Sequence, residues 1–192
     1  MGFCLFFLFA TMKCSLWLMP PSPVATDVTA LIHELSKGRS EIPFEAHVTI
    51  AGGIVLEEDP AQLCERLQTS LRGKFGKGID CQFRPKALSV RKEDGTAQWN
   101  QALVAVLDQT PSLLALVDAS RKALKQPPEL RFAPLLHQPH LSLFYGTKNV
   151  PDPECVKLLE PFVATELALW STTPGTAEGV ANWKELGRIS LV

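Results

Sequence analysis

The chain has 192 residues, a formal net charge of −1, and 46% hydrophobic against 20% charged residues. That length suits one large domain or two small lobes sharing a core, with the balance of a soluble globular protein. It excludes the broad basic stripe that tracks long nucleic acid, but leaves room for a small anion held by a few local groups. Five widely spaced cysteines, Cys4, Cys14, Cys64, Cys81 and Cys155, lack a CxxC pair. Neither a zinc ribbon nor a thioredoxin-type site is read from them, and a reducing compartment is the simplest account.

Residues 2–10 are apolar but far short of the ~20 needed to span a bilayer. No Lys or Arg precedes them, as a signal peptide would require. Stable membrane insertion is not expected. Residues 1–11 read either as a buried apolar extension or as lying before a true start at Met12, which is favoured, and residues 12–192 as a single bilobal domain.

Residues 15–19 read as a short strand stopped by Pro20, Pro21 and Pro23. Thr26 or Asp27 can cap a helix whose stripe is Val28, Leu31, Ile32 and Leu35, with Gly38 as its stop and His33 on its solvated side. Residues 46–50 alternate as a strand ended by Gly52-Gly53. Residues 60–72 read as a helix with Leu63, Leu67 and Leu71 on one side. Strands are expected near 79–90 and 100–107, around a polar turn at Glu93-Asp94-Gly95. Pro111 opens a helix that buries Leu113, Leu116, Val117 and Leu124. Residues 126–139, holding four prolines, read as an irregular loop. A strand from His140 follows, then a helix near 153–163 and strands near 165–171 and 186–191. No glycine phosphate loop or dinucleotide fingerprint is present, and the mixed order in two similar halves predicts an α+β fold with two sheet-bearing lobes.

Two strands repeat one pattern: His47-Val48-Thr49-Ile50 and His140-Leu141-Ser142-Leu143. On a strand, residues i and i+2 share a face at about 6.5–7 Å. Each segment therefore shows an imidazole beside a hydroxyl while its aliphatic side chains anchor it in a core. If an approximate twofold relates the lobes, the four polar groups meet across one cleft. Imidazole titrates near pH ~6.5, so one ring can take a proton from water while the other gives one to a departing ribose oxygen. The Thr49 and Ser142 hydroxyls can bind non-bridging phosphoryl oxygens, where negative charge builds. No carboxylate within either motif is placed to hold a metal, and no cofactor is expected. A lone His-x-Thr means little; two of only four histidines in matched strands mean more. His137 is expected to support the loop or cleft rim.

These paired motifs resemble the two-histidine (2H) phosphoesterase superfamily over nearly all of Met12 to Val192. Three segments are similar to the fungal and plant cyclic phosphodiesterases: Ser15 to Pro21, Pro139 to Tyr145, and Trp183 to Ile189. The resemblance implies a bilobal α+β fold: two antiparallel-sheet lobes with outer helices and pseudo-twofold symmetry around a central cleft. It implies the 2′,3′-cyclic-nucleotide 3′-phosphodiesterase reaction, yielding nucleoside 2′-phosphates, and conversion of ADP-ribose 1″,2″-cyclic phosphate to ADP-ribose 1″-phosphate, both linked to tRNA-splicing by-products. It implies His47 and His140 as the proton donor and acceptor, Thr49 and Ser142 on the phosphate, and Tyr145 on the substrate. Strict alternation turns Tyr145 toward the core, so the strand must end or bulge before it.

Many relatives carry Pro before the first His, where this chain has Glu45-Ala46; that carboxylate either raises His47 basicity or faces solvent. His140 is favoured as base and His47 as acid. The resemblance points to the Golgi apparatus, with the cytoplasm as alternative, and a monomer acting on a small cyclic phosphate is expected. Two rivals remain: an RNA-processing 2H esterase or 2′–5′ ligase-like enzyme, using a local patch of Arg84, Lys86, Arg91 and Lys92, and a non-catalytic nucleotide-binding protein.

Overall fold

The structure, a computed structural model, describes residues 12–39, 43–126, 138–156 and 159–192. The apolar extension 1–11 and His137 lie outside the described residues. Elements in chain order are β1 (Lys13–Met19), α1 (Ser22–Ser36), β2 (Val48–Val55), α2 (Pro60–Leu71), β3 (Ile79–Cys81), β4 (Phe83–Leu88), β5 (Leu103–Leu107), α3 (Pro111–Ala123), β6 (His140–Phe144), β7 (Phe162–Ala164), β8 (Glu166–Ser171) and β9 (Lys184–Ser190). Seven strands form one antiparallel sheet in the order β4-β5-β6-β2-β1-β8-β9, and β3 pairs separately with β7.

The two halves repeat one unit. β1-α1-β2 and β5-α3-β6 are each a strand, a helix and an antiparallel strand carrying a His-x-Thr/Ser motif. α1 packs against β6 and α3 against β2, so each helix covers the other unit's histidine strand. This exchange makes the two lobes share one core. Val48, Ile50, Leu141 and Leu143 are fully or almost fully buried in it. Removing side chains of that size from water is worth about 1.5–3 kcal/mol each, so the core sets the phase of both strands and holds His47 and His140 on the opposite face.

α2 and α3 start as the sequence indicates. Asp59 accepts from the Ala61 N–H at 2.8 Å and Thr110 from the Leu113 N–H at 3.3 Å, meeting donors that helix geometry leaves orphaned. Leu63, Leu67 and Leu71 are buried as expected. Five expectations are corrected. α1 starts at Ser22, because Pro23 fits a first turn that needs no N–H from it. β2 runs through Gly52-Gly53 to Val55; the β1–β2 register shifts here and Gly53 has φ 65°, a bulge rather than an end. The region 79–90 holds two strands, β3 and β4, not a single run. Leu124 caps α3 half-buried, while Ser120 and Arg121 face inward. Finally, the described residues of 153–163 hold a short 3-10 turn, Pro153–Cys155, and the start of β7 rather than the expected α-helix; Pro161 cannot continue a helix.

Candidate active site

β2 and β6 meet through one antiparallel pair, Val48 opposite Leu141. Continuing that register sets His47 across from Ser142 and Thr49 across from His140, where cross-strand Cβ atoms lie about 4.5–5.5 Å apart. A cavity of about 450 Å³ opens over this face, and His47, Thr49, His140, Ser142 and Tyr145 all line it. The structure thus brings together all five residues singled out in the sequence.

Each imidazole is pinned at one nitrogen. His47 Nδ1 lies 2.6 Å from the Glu45 carbonyl and His140 Nδ1 2.9 Å from the Gln138 carbonyl. A carbonyl only accepts, so Nδ1 carries the hydrogen in both rings and Nε2 is the acceptor. The carbonyl of Glu45, not its exposed carboxylate, orients His47. His47 also stacks on Trp17, with ring centroids 3.6 Å apart and planes 8° from parallel, and meets Phe44 edge-on at 6.2 Å. His140 Nε2 sits 3.3 Å from Gln101 Nε2. With Nδ1 protonated, Nε2 accepts a hydrogen bond from the Gln101 amide.

Burial disfavours a charged imidazole. It pushes His47 down to about 4, against the Glu45 carbonyl, which favours the cation, and with help from the neighbouring His140. His140 is lowered too, chiefly by burial, with the Gln138 carbonyl opposing. Both rings are therefore neutral near pH 7 in the free protein. An anionic phosphate between them would raise both.

The two hydroxyls differ. Ser142 Oγ donates to the Asn100 carbonyl at 3.0 Å. Thr49 is half-buried, and among the described residues no hydrogen bond engages its hydroxyl. Tyr145 reaches the cleft because β6 ends at Phe144, the β5–β6 register shifts near Leu103 and Val104, and the Gly146 N–H donates to the Trp99 carbonyl. The phase problem seen in the sequence is solved by that bulge. Tyr145 stacks on Phe44 at 3.6 Å; burial raises its phenol, and a hydrogen bond with Ser142 opposes this.

Sequence reasoning left several lining residues without a role. Trp17, Trp99 and Trp183 form an aromatic wall, with Trp170 stacked behind Trp17 at 4.6 Å. Asn100, Gln101, Lys13 and Arg121 also line the cavity. Four tryptophans against a single tyrosine was a usable signal, and two of them sit in the segments that carry the resemblance. Gln101 and Arg121 gave none, since a glutamine after a turn and an arginine on a helix both read as solvated. By contrast, Arg84 pairs with Asp108 and Lys86 with Glu154, all exposed and away from the cavity, while Arg91 holds the Gly95 carbonyl.

Two repeated β-α-β units, each giving one imidazole and one hydroxyl to a shared cleft, define the class of the two-histidine phosphoesterases. Solved structures agree on the fold. The chain is similar to E. coli LigT complexed with 3′-AMP at 15% identity and TM-score 0.51, over 95% of this chain and 98% of that one. It is similar to TT0787 of Thermus thermophilus at 14% identity and TM-score 0.56, over 94% and 98%. A structure described as a phosphoesterase matches at 16% identity and TM-score 0.52, over 94% and 99%. No curated protein matches the chain. Residues 12–191 match the family described as cyclic phosphodiesterase-like protein, and the chain belongs to that family. It is a phosphoesterase of the 2H superfamily.

Proposed function

We propose that the protein hydrolyses nucleoside 2′,3′-cyclic phosphates to nucleoside 2′-phosphates, with His47 and His140 as a metal-independent acid–base pair. The carrying observation is the crossed quartet, His47 and Thr49 facing Ser142 and His140 in one cavity. Water attacks phosphorus as one imidazole takes its proton. The P–O3′ bond breaks, and the other imidazole protonates the departing O3′. Thr49 donates to a non-bridging oxygen as charge builds there. Gln101 stabilises the neutral form of His140, which suits the base. The Trp17 face favours a cation on His47, which suits the acid once the phosphate has offset its burial.

A base-bearing substrate suits the half-buried Trp99 and Trp183 on the cavity wall, because every nucleobase can stack on an aromatic face. ADP-ribose 1″,2″-cyclic phosphate presents the same five-membered ring and is the second proposed substrate; the family resemblance points to tRNA splicing as the source of both. The RNA-processing alternative loses support because Arg84 and Lys86 are neutralised by neighbouring acids rather than lining a groove. The test is incubation with adenosine 2′,3′-cyclic phosphate in EDTA, with phosphorus NMR of the product. Adenosine 2′-phosphate is expected, with His47→Asn and His140→Asn each slower by about 10²–10⁴-fold. A 3′-phosphate product, or turnover only after a metal is returned, would overturn the reading.

A further inference from the structure

The cavity extends beyond the histidines along β1 and β2, and its far end is built differently. Arg121 lies on the last turn of α3 and lines the cavity, yet is only 6% exposed. Its Nη1 donates to Gln126 Oε1 at 3.1 Å, and Gln126 Nε2 donates to the Gly52 carbonyl at 3.3 Å. That relay fixes the guanidinium beside the bulge of β2. Among the described residues its Nε is buried without a hydrogen-bond partner. A buried donor left unmade costs about 1–3 kcal/mol, so an acceptor on a bound ligand would be favoured there.

Lys13 faces the same space from β1, opposite Val55, with its side chain exposed. The hydroxyls of Ser15 and Thr172 lie 3.3 Å apart on the wall between. Gly52 lines the floor beside Ser15 and Thr49. Asp118, one turn before Arg121, favours its charge, but no Asp or Glu is among the described lining residues. This end is therefore cationic in a protein whose net charge is −1. Lys13 is four strand residues from Trp17, about 13 Å away along β1.

We propose that Arg121 and Lys13 form a second phosphoryl-binding subsite for substrates that carry an anionic phosphate or diphosphate remote from the cyclic ring. Guanidinium recognises phosphoryl oxygens through paired charged hydrogen bonds, and an ammonium adds a point charge. The subsite rests on the cyclic phosphodiesterase reading for its biological use, but its occupancy can be measured without turnover.

The experiment is calorimetric binding of a ligand ladder: adenosine 2′-phosphate, adenosine 2′,5′-bisphosphate, and adenosine 2′-phosphate bearing a 5′-diphosphate. At least one extended ligand is expected to bind about tenfold or more tighter than the first. Arg121→Gln collapses that ratio toward one, Lys13→Gln cuts it several-fold, and Arg121→Lys keeps part of it; thermal melts establish that each variant is folded. Because Lys13 is exposed, its variant keeps the test open if Arg121→Gln does not fold. A ratio near one in the wild type, or a ratio that survives both substitutions, overturns the subsite, as does a loss shared equally by the unextended ligand. Failure of the hydrolysis reading shows instead as no turnover of adenosine 2′,3′-cyclic phosphate. In that case inorganic pyrophosphate is the probe. Binding about tenfold weaker in Arg121→Gln upholds the subsite, and unchanged binding overturns it.

Discussion

Val48 of β2 and Leu141 of β6 sit opposite one another where the two halves of the sheet join. Both are fully buried, so each strand's facing is fixed by apolar packing and cannot slip by one residue without turning its histidine into the core. Through this pair, each histidine faces the hydroxyl of the other motif rather than its own. That relationship organises the expected behaviour of the site.

Thr49 and Ser142 are not equivalent. The Thr49 hydroxyl is unengaged among the described residues, whereas Ser142 spends its proton on Asn100. Thr49→Ala is expected to lower kcat by about 100–1000-fold, the range for a lost oxyanion donor. Ser142→Ala, whose hydroxyl must first leave Asn100, is expected to cost about tenfold. Steady-state kinetics decide it, and an equal loss in both variants would contradict the distinction.

The lowered histidines make the free protein acid-sensitive. Below pH ~6.5 the unfolded chain takes up protons that the native His47, held at about 4, refuses. Stability should be complete above pH ~6.5 and decline as pH falls toward 4. The His47 share is about 3 kcal/mol once both states are protonated. Urea midpoints at pH 7, 5.5 and 4.5 should fall in that order, with a shallower slope in His47→Gln.

The same burial shifts catalysis. Because kcat/KM reports the free enzyme, its bell should centre below pH 6.5, while the kcat profile, read with the anionic substrate bound, moves to higher pH. Rates measured from pH 4 to 8 test this. A kcat/KM optimum above pH 7 would rule it out.

Trp17 holds the His47 ring by its face and is almost fully buried. Trp17→Leu should cost about 3 kcal/mol of stability, as for large core truncations, and slow turnover about tenfold by freeing the imidazole. Trp17→Phe should recover most of the rate. If both variants turned over at the wild-type rate, the stack would have no positioning role.

Gln101 acts on His140 through one hydrogen bond. Replacing it by Leu removes the donor that stabilises the neutral ring, so the His140 titration should move upward toward its ordinary value. Proton NMR of the imidazole measures this, and an unmoved or lowered titration would remove Gln101 from that role.

Much of this molecule was legible because period-2 alternation survives folding. His47-Val48-Thr49-Ile50 and His140-Leu141-Ser142-Leu143 announce which residues point together, and the structure keeps both phases. α2 and α3 were legible through their leucine spacing and, for α3, through Pro111 at its start. What failed were places where local signals have more than one tertiary use. Gly52-Gly53 reads as a stop but serves as a bulge, and Phe162 and Val163 lie in an expected helix yet pair with β3.

The sequence by itself determined that two imidazole–hydroxyl strands exist and which faces they present, since side-chain alternation is a property of the backbone alone. Only the tertiary structure decided that Val48 pairs with Leu141, that Trp17 stacks on His47, and that Arg121 turns inward beside Gly52. Those depend on register and on helices packed across the two halves, which no local window of residues encodes.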